Sequence, residues 1–313
     1  MLALLKGMRT RENCFILNYH RLLSTRINGN GYVQPGMYVT ANTFRQHLEI
    51  LNDRFIVLSL NELADRVKAG KSIGGCCAIT FDDGWQDNYA LAFPIFTEMS
   101  VPVTVFLATA FVGSERMFWP EELSFYLRQE EVKSFILSGG TKLLNVKLSH
   151  YTDEIFFDDI IQTVKSLSPE ERNELLNQLR TASSKYPVDR LLLNWEEVKS
   201  MHASGFCSFG SHTANHVILD QVSLKEAEFE ISRSKEELEL HIGRSTLFAY
   251  PNGNYSYALQ DILKRHGFSV AVTTQKGWVD MRTNLLAIPR ISMHEDVSNT
   301  KSLLFARMLL RSF

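Results

Sequence analysis

The chain has 313 residues, 45% hydrophobic and 22% charged, the profile of a globular protein able to bury one large or two modest cores. Its 33 basic and 35 acidic residues nearly cancel, leaving no electrostatic footprint for a nucleic acid. There is no run near the ~20 apolar residues of a transmembrane span and no secretory-signal pattern in the opening nine residues, and the cysteines Cys14, Cys76, Cys77 and Cys207 read as buried and reduced; a cytoplasmic protein is expected.

Short apolar runs predict strands at 14–18, 56–59, 76–81, 101–107, 206–209, 246–250, 269–273 and 286–288. Helical patterns fall between them. Thr43 is read as the start of a helix over 44–52, and a second helix over 61–68 stops at Gly70. Ser223 with Glu226 makes a capping box for a long helix that Gly243 ends. This alternation predicts an α/β fold with a mostly parallel sheet. The rhythm breaks between about 112 and 189, so one domain over 1–313 is expected, carrying a helical insertion after the fourth strand.

Two segments carry chemistry. Ile79-Thr-Phe-Asp-Asp-Gly84 and Gly210-Ser-His-Thr-Ala-Asn-His216 each follow a strand pattern, and ligands in parallel α/β folds bind where strands end. Successive strand side chains point to opposite faces, so Asp82 and Asp83 can share a site only where the strand bends, which Gly84 permits. His212 and His216 are four apart, a spacing that puts both rings on one side of a helical turn. With Asp83 they make a two-histidine, one-carboxylate metal set that leaves a position for water, and Asp82 is then free to take a proton from it. Trp85, beside the proposed ligand, is a candidate for substrate contact through its ring face.

These residues bring a family into view. Thr80-Phe-Asp-Asp-Gly84, His212-Thr-Ala-Asn-His216 and Phe248-Ala-Tyr-Pro-Asn-Gly253 resemble the first three motifs of the polysaccharide deacetylases, the NodB-homology or carbohydrate esterase 4 family. The resemblance implies a distorted (β/α)7-type barrel and a divalent metal, most often Zn2+, that serves removal of N-acetyl groups from amino sugars by metal-hydroxide attack on the amide carbonyl. It implies Asp83, His212 and His216 as metal ligands, Asp82 as general base, a backbone N–H near Asn252 for the oxyanion, and Tyr250 and Pro251 as shapers of a sugar groove.

The chain departs from the family pattern twice. Where the third motif often has an arginine that pairs with the base, this chain has Ala249, and Arg290 is the candidate to supply that charge; its alternative is an exposed surface ion pair. The general acid is expected at His20, which ends the apolar strand Cys14-Phe-Ile-Leu-Asn-Tyr-His20 as in a circularly permuted subgroup of biofilm-polysaccharide deacetylases, with His294 in reserve. His47 and His241 read as solvated. The amphipathic stretch 302–313 reads as a helix closing the barrel wall, with weak membrane-surface contact as its alternative. The partner expected is a carbohydrate; hydrolysis of a different amide and non-catalytic glycan binding are the alternative functions.

Overall fold

The computed structural model describes residues 12–25, 33–34, 36–141, 154–186 and 190–309. Described residues within 1–25, 36–114 and 192–313 make one compact unit, and those within 26–35 and 115–191 make a second. The opening nine residues, and positions 310–313 of the terminal stretch, lie outside the described residues.

The strands of the first unit are β1 (Asn13–Tyr19), β2 (Arg21–Leu23), β3 (Tyr38–Thr40), β4 (Ile56–Val57), β5 (Cys76–Phe81), β6 (Val103–Leu107), β7 (Cys207–Ser211), β8 (Leu247–Ala249), β9 (Val270–Lys276), β10 (Val279–Asp280) and β11 (Ile288–Ser292). Seven of them close a parallel barrel in the order β1-β5-β6-β7-β8-β9-β11 and back to β1. The closing strand is β1, whose Leu17 pairs with Ile79 of β5 on one side and with Ile291 of β11 on the other. β4 extends the sheet beyond β5, and β10 pairs antiparallel with the start of β1.

The period-two alternation of strands sorts the side chains. Ile16, Ala78, Phe106, Leu247, Ala249, Val272 and Ile288 pack together with Leu60 and Leu63 of the helix Leu60–Lys68. The intervening residues Leu17, Ile79, Phe81, Val105, Leu107 and Phe209 join a different cluster, with Phe44, Leu48 and Leu51 of the helix Ala41–Arg54. Leu304, Phe305 and Met308 of the helix Lys301–Leu309 are buried in that same cluster, so the described part of the terminal stretch packs as wall.

Local signals explain the helix ends, with one correction. The helix Ala41–Arg54 is capped by Thr40, whose Oγ1 accepts the Thr43 N–H, so Thr43 lies inside the first turn and does not start the helix. Ser223 Oγ accepts the Glu226 N–H at the head of Leu224–Ile242, and Gly243 ends that helix at φ 77°. The second unit is helical, Trp119–Leu127, Glu130–Leu137, Glu154–Lys165 and Pro169–Ala182, around Leu123, Tyr126, Val132, Ile160, Leu175 and Leu179. No helix among the described residues is long and apolar enough to cross a membrane.

Candidate active site

The polar ends of β1, β5, β7 and β11 meet at one end of the barrel. β5 stops at Phe81, and Asp83 and Gly84 follow with φ of 77° and 81°, two consecutive left-handed residues. That turn brings both neighbouring carboxylates to one site although a continuing strand would separate them. Such a conformation is costly for a non-glycine residue and persists where its surroundings enforce it. Here the Gly84 carbonyl accepts the Leu193 N–H, and a Cβ on Gly84 would stand 2.6 Å from Leu107 Cδ2.

After β7 the chain does not make the expected helical turn. Residues 212–218 form a loop in which Thr213 and His216 take φ of 65° and 57°. Glu230, 4% exposed on the inner face of Leu224–Ile242, grips this loop: Oε2 accepts the Asn215 N–H at 2.7 Å and Oε1 its side-chain amide at 2.8 Å. Ser211 and Ser234 hydroxyls share a hydrogen bond, and the His212 N–H donates to the Leu107 carbonyl.

The loop therefore presents both imidazoles to Asp83. His212 Nε2 lies 3.5 Å and His216 Nε2 3.3 Å from Asp83 Oδ1, and the three ligand atoms fall within 4.8 Å of one another. These separations are long for an N–H···O bond but match the ~3.3–3.6 Å edge of a tetrahedron with metal–ligand bonds of 2.0–2.2 Å. His212 Nδ1 sits 2.7 Å from the Ala249 carbonyl, which can only accept, so Nδ1 carries the proton and Nε2 keeps a lone pair for a cation. The donor set fits a divalent metal. Burial alone would raise the Asp83 carboxyl, but the two imidazoles hold it well below the usual carboxylate range.

Asp82 is held from the opposite side. Arg290, fully buried on β11, donates from Nη1 to Oδ1 at 2.7 Å and from Nη2 to Oδ2 at 2.6 Å. Its remaining donors reach Asn18 Oδ1, Thr80 Oγ1 and the Thr273 carbonyl, and Asn18 Nδ2 donates to Asp82 Oδ2. The surface ion pair considered for Arg290 is thus replaced by a side-on clamp inside the barrel. Burial pushes the Asp82 carboxyl up, yet the Arg290 guanidinium, joined by His212 and His20, brings the group below its ordinary value.

His20, directly after β1, places Nε2 3.9 Å from Asp82 Oδ2 with its side chain 16% exposed. Desolvation lowers its pKa, and Asp83 and Asp82 partly restore it. His294 is placed elsewhere, with Asp296 3.9 Å from its Nδ1 and Arg307 nearby.

Three expected groove residues are buried instead. Trp85 is 1% exposed and donates from Nε1 to Asp83 Oδ2 at 2.9 Å. Tyr250 packs against Phe248 and donates its hydroxyl to the Leu286 carbonyl, and Pro251 is buried behind it. No ring face of Trp85 or Tyr250 is left for a sugar. Asn252 is exposed, in a turn at φ 58° whose carbonyl accepts from Thr274 Oγ1. His47 departs from expectation too: it is 2% exposed, bonded to the Tyr19 hydroxyl and the Ser298 carbonyl.

Residues 69–271 match the family model for polysaccharide deacetylase. The chain belongs to the polysaccharide deacetylase family. YxkH of Bacillus subtilis, which carries a polysaccharide-deacetylase name, is 20% identical over 288 residues, 91% of this chain and 73% of that protein. Among solved structures, the Streptococcus pyogenes deacetylase PplD in complex with acetate superposes with a TM-score of 0.61 at 19% identity, over 95% of this chain and 98% of that one. IcaB from Ammonifex degensii gives 0.59 at 19% over the same shares, and the de-N-acetylase of Aggregatibacter actinomycetemcomitans 0.60 at 16%, over 94% and 99%. These three share the barrel with the present deacetylase-family chain.

Sequence reasoning missed Glu230 and the Asn18–Thr80 pair as members of this family site. The signal for Glu230 was its place on the apolar stripe of Leu224–Ile242, beside Ala227, Ile231, Ser234 and Leu238. For Asn18 and Thr80 it was a polar residue at the penultimate place of each strand, following an apolar run.

Proposed function

We propose that this chain removes N-acetyl groups from an amino sugar within a poly- or oligosaccharide or its lipid-linked precursor, using a divalent ion, Zn2+ first among candidates, held by Asp83, His212 and His216. The observation that carries this reading is the pairing of two differently held carboxylates: Asp83 facing two imidazoles and Asp82 clamped by Arg290, with His20 3.9 Å from Asp82. A metal at such a site acidifies water and polarises a carbonyl.

Asp82 is the base. Arg290 and Asn18 keep it ionised and aimed, so it accepts the proton of the attacking water. Attack on the amide carbonyl gives a tetrahedral oxyanion, for which the family resemblance implies a backbone N–H near Asn252 as donor. His20 then gives its proton to the departing amine; acetate and the free amino sugar are the products. Arg290 does not touch substrate in this scheme; it fixes the base. The clamp supplies a charge beside the base where the third motif lacks its arginine, which favours catalysis over non-catalytic glycan binding.

Purified protein loaded with zinc or cobalt is expected to release acetate from at least one of a panel of N-acetylhexosamine oligomers, lipid-linked sugars and nucleotide sugars. Asp82→Asn should abolish release while retaining the metal. Absence of acetate from every member, with other acyl groups hydrolysed, would overturn the substrate assignment.

A further inference from the structure

We infer that Trp85 is a positioning residue that makes Asp83 a one-oxygen ligand, and that Arg21, held by Asp87, secures the indole in that place. The inference rests on the metal reading of Asp83, His212 and His216 given above.

A buried indole has to find a partner for its N–H, and any nearby carbonyl would serve. In this fold the partner is the ligand's own carboxylate, Nε1 to Asp83 Oδ2 at 2.9 Å. Oδ2 is thereby taken, and Oδ1 is the atom 3.5 and 3.3 Å from the two imidazole nitrogens. A carboxylate fixed this way binds through one oxygen. A two-oxygen mode would fill coordination positions that water and a substrate carbonyl need.

The indole is itself held from behind. Arg21 Cζ stands 4.4 Å from its ring centroid, a cation over an aromatic face. Asp87 aims that guanidinium, accepting from Arg21 Nε at 3.0 Å with one oxygen and from the Leu22 N–H at 2.9 Å with the other. Asn88 adds a bond from its side-chain amide to the His20 carbonyl at 2.9 Å. The segment 83–88 therefore grips the metal carboxylate at its start and residues 20–22 at its end. The proposed acid and the proposed ligand are set by one short stretch of chain.

The test is metal affinity, read by competition with a chromophoric chelator, and the visible spectrum of bound Co2+, which weakens as coordination number rises. Trp85→Phe keeps a ring for Arg21 and deletes the donor; its Kd is expected to rise about 10–100-fold, with a weaker cobalt spectrum. Asp87→Asn should raise Kd by a smaller factor, and Arg45→Gln, in an exposed pair with Glu98, should leave it at the wild-type value. Wild-type affinity and an unchanged spectrum in Trp85→Phe would overturn the inference. If that variant does not fold, wild-type affinity in Asp87→Asn overturns it. Failure of the wild-type protein to take up one metal per chain would instead overturn the reading on which it rests.

Discussion

The Arg290 guanidinium meets the Asp82 carboxylate side-on, Nη1 to Oδ1 at 2.7 Å and Nη2 to Oδ2 at 2.6 Å, across 208 residues of sequence. Both partners are buried, so removing one leaves the other charged in a medium that cannot solvate it. Arg290→Met is expected to cost about 3–5 kcal/mol in urea unfolding, and Arg290→Lys, which cannot make the two-pronged contact, to lose most of the turnover while folding. The double variant Asp82→Asn/Arg290→Met should recover part of the stability lost by Arg290→Met alone.

Metal binding should stabilise the fold. A ligand at 100 times its Kd adds about 2.7 kcal/mol, so thermal melts with zinc and with a chelator should separate by several degrees. Asp83→Asn and His212→Gln are expected to bring the two curves together. Unchanged separation in both variants would place the ion somewhere other than on these side chains.

Glu230 gives a prediction at a residue outside the metal set. Its two oxygens hold the Asn215 N–H and side-chain amide, directly before His216. Glu230→Ala removes both bonds to its carboxylate and should cost about 1.5–3 kcal/mol, the range for hydrogen bonds to a charged group. Glu230→Gln keeps one acceptor and should fold nearly as well, yet bind metal more weakly because the left-handed Thr213 and His216 lose their restraint. Metal titration of the two variants against their urea midpoints separates the effects.

The fourth prediction concerns pH. His47 Nε2 lies 2.7 Å from the Ser298 carbonyl and therefore donates to it, which leaves Nδ1 to accept from the Tyr19 hydroxyl at 2.9 Å. Burial is the largest influence and outweighs the pull of Ser298 and Glu295, so the folded pKa lies below the ordinary 6.5. The unfolded chain binds this proton more readily. The stability His47 contributes is thus fully present above 6.5 and is lost as pH falls from there toward the folded value. His20, also lowered by burial, acts in the same direction. His47→Gln is expected to flatten the decline in urea midpoint between about pH 7 and about pH 5. A decline as steep as the wild type's would assign it to other groups.

The parallel barrel and the Asp-Asp-Gly and His-x-x-x-His segments were legible because apolar runs mark strands and strand ends in such folds carry function. Arg290 was nameable only as a candidate, since no periodicity announces which distant cation will enter a barrel beside a carboxylate. His47 and Glu230 were misread or missed for one reason: a polar residue in a charged helical pattern looks solvated until the neighbouring element that covers it is known. Trp85 and Tyr250 erred in the opposite sense. Aromatic residues beside a motif suit a sugar or a core equally well, and here the core took both.

The seam of the barrel sets a condition on how the site comes into being. Strand β1, which leads into His20, is synthesised before its neighbour β11 and the Arg290 guanidinium that clamps Asp82, which emerge from the ribosome about 270 residues later. Until then β1 lacks its β11 neighbour and the base lacks Arg290. A translation product halted before Ile288 would thus carry both signature segments without the strand that brings Arg290 to the base.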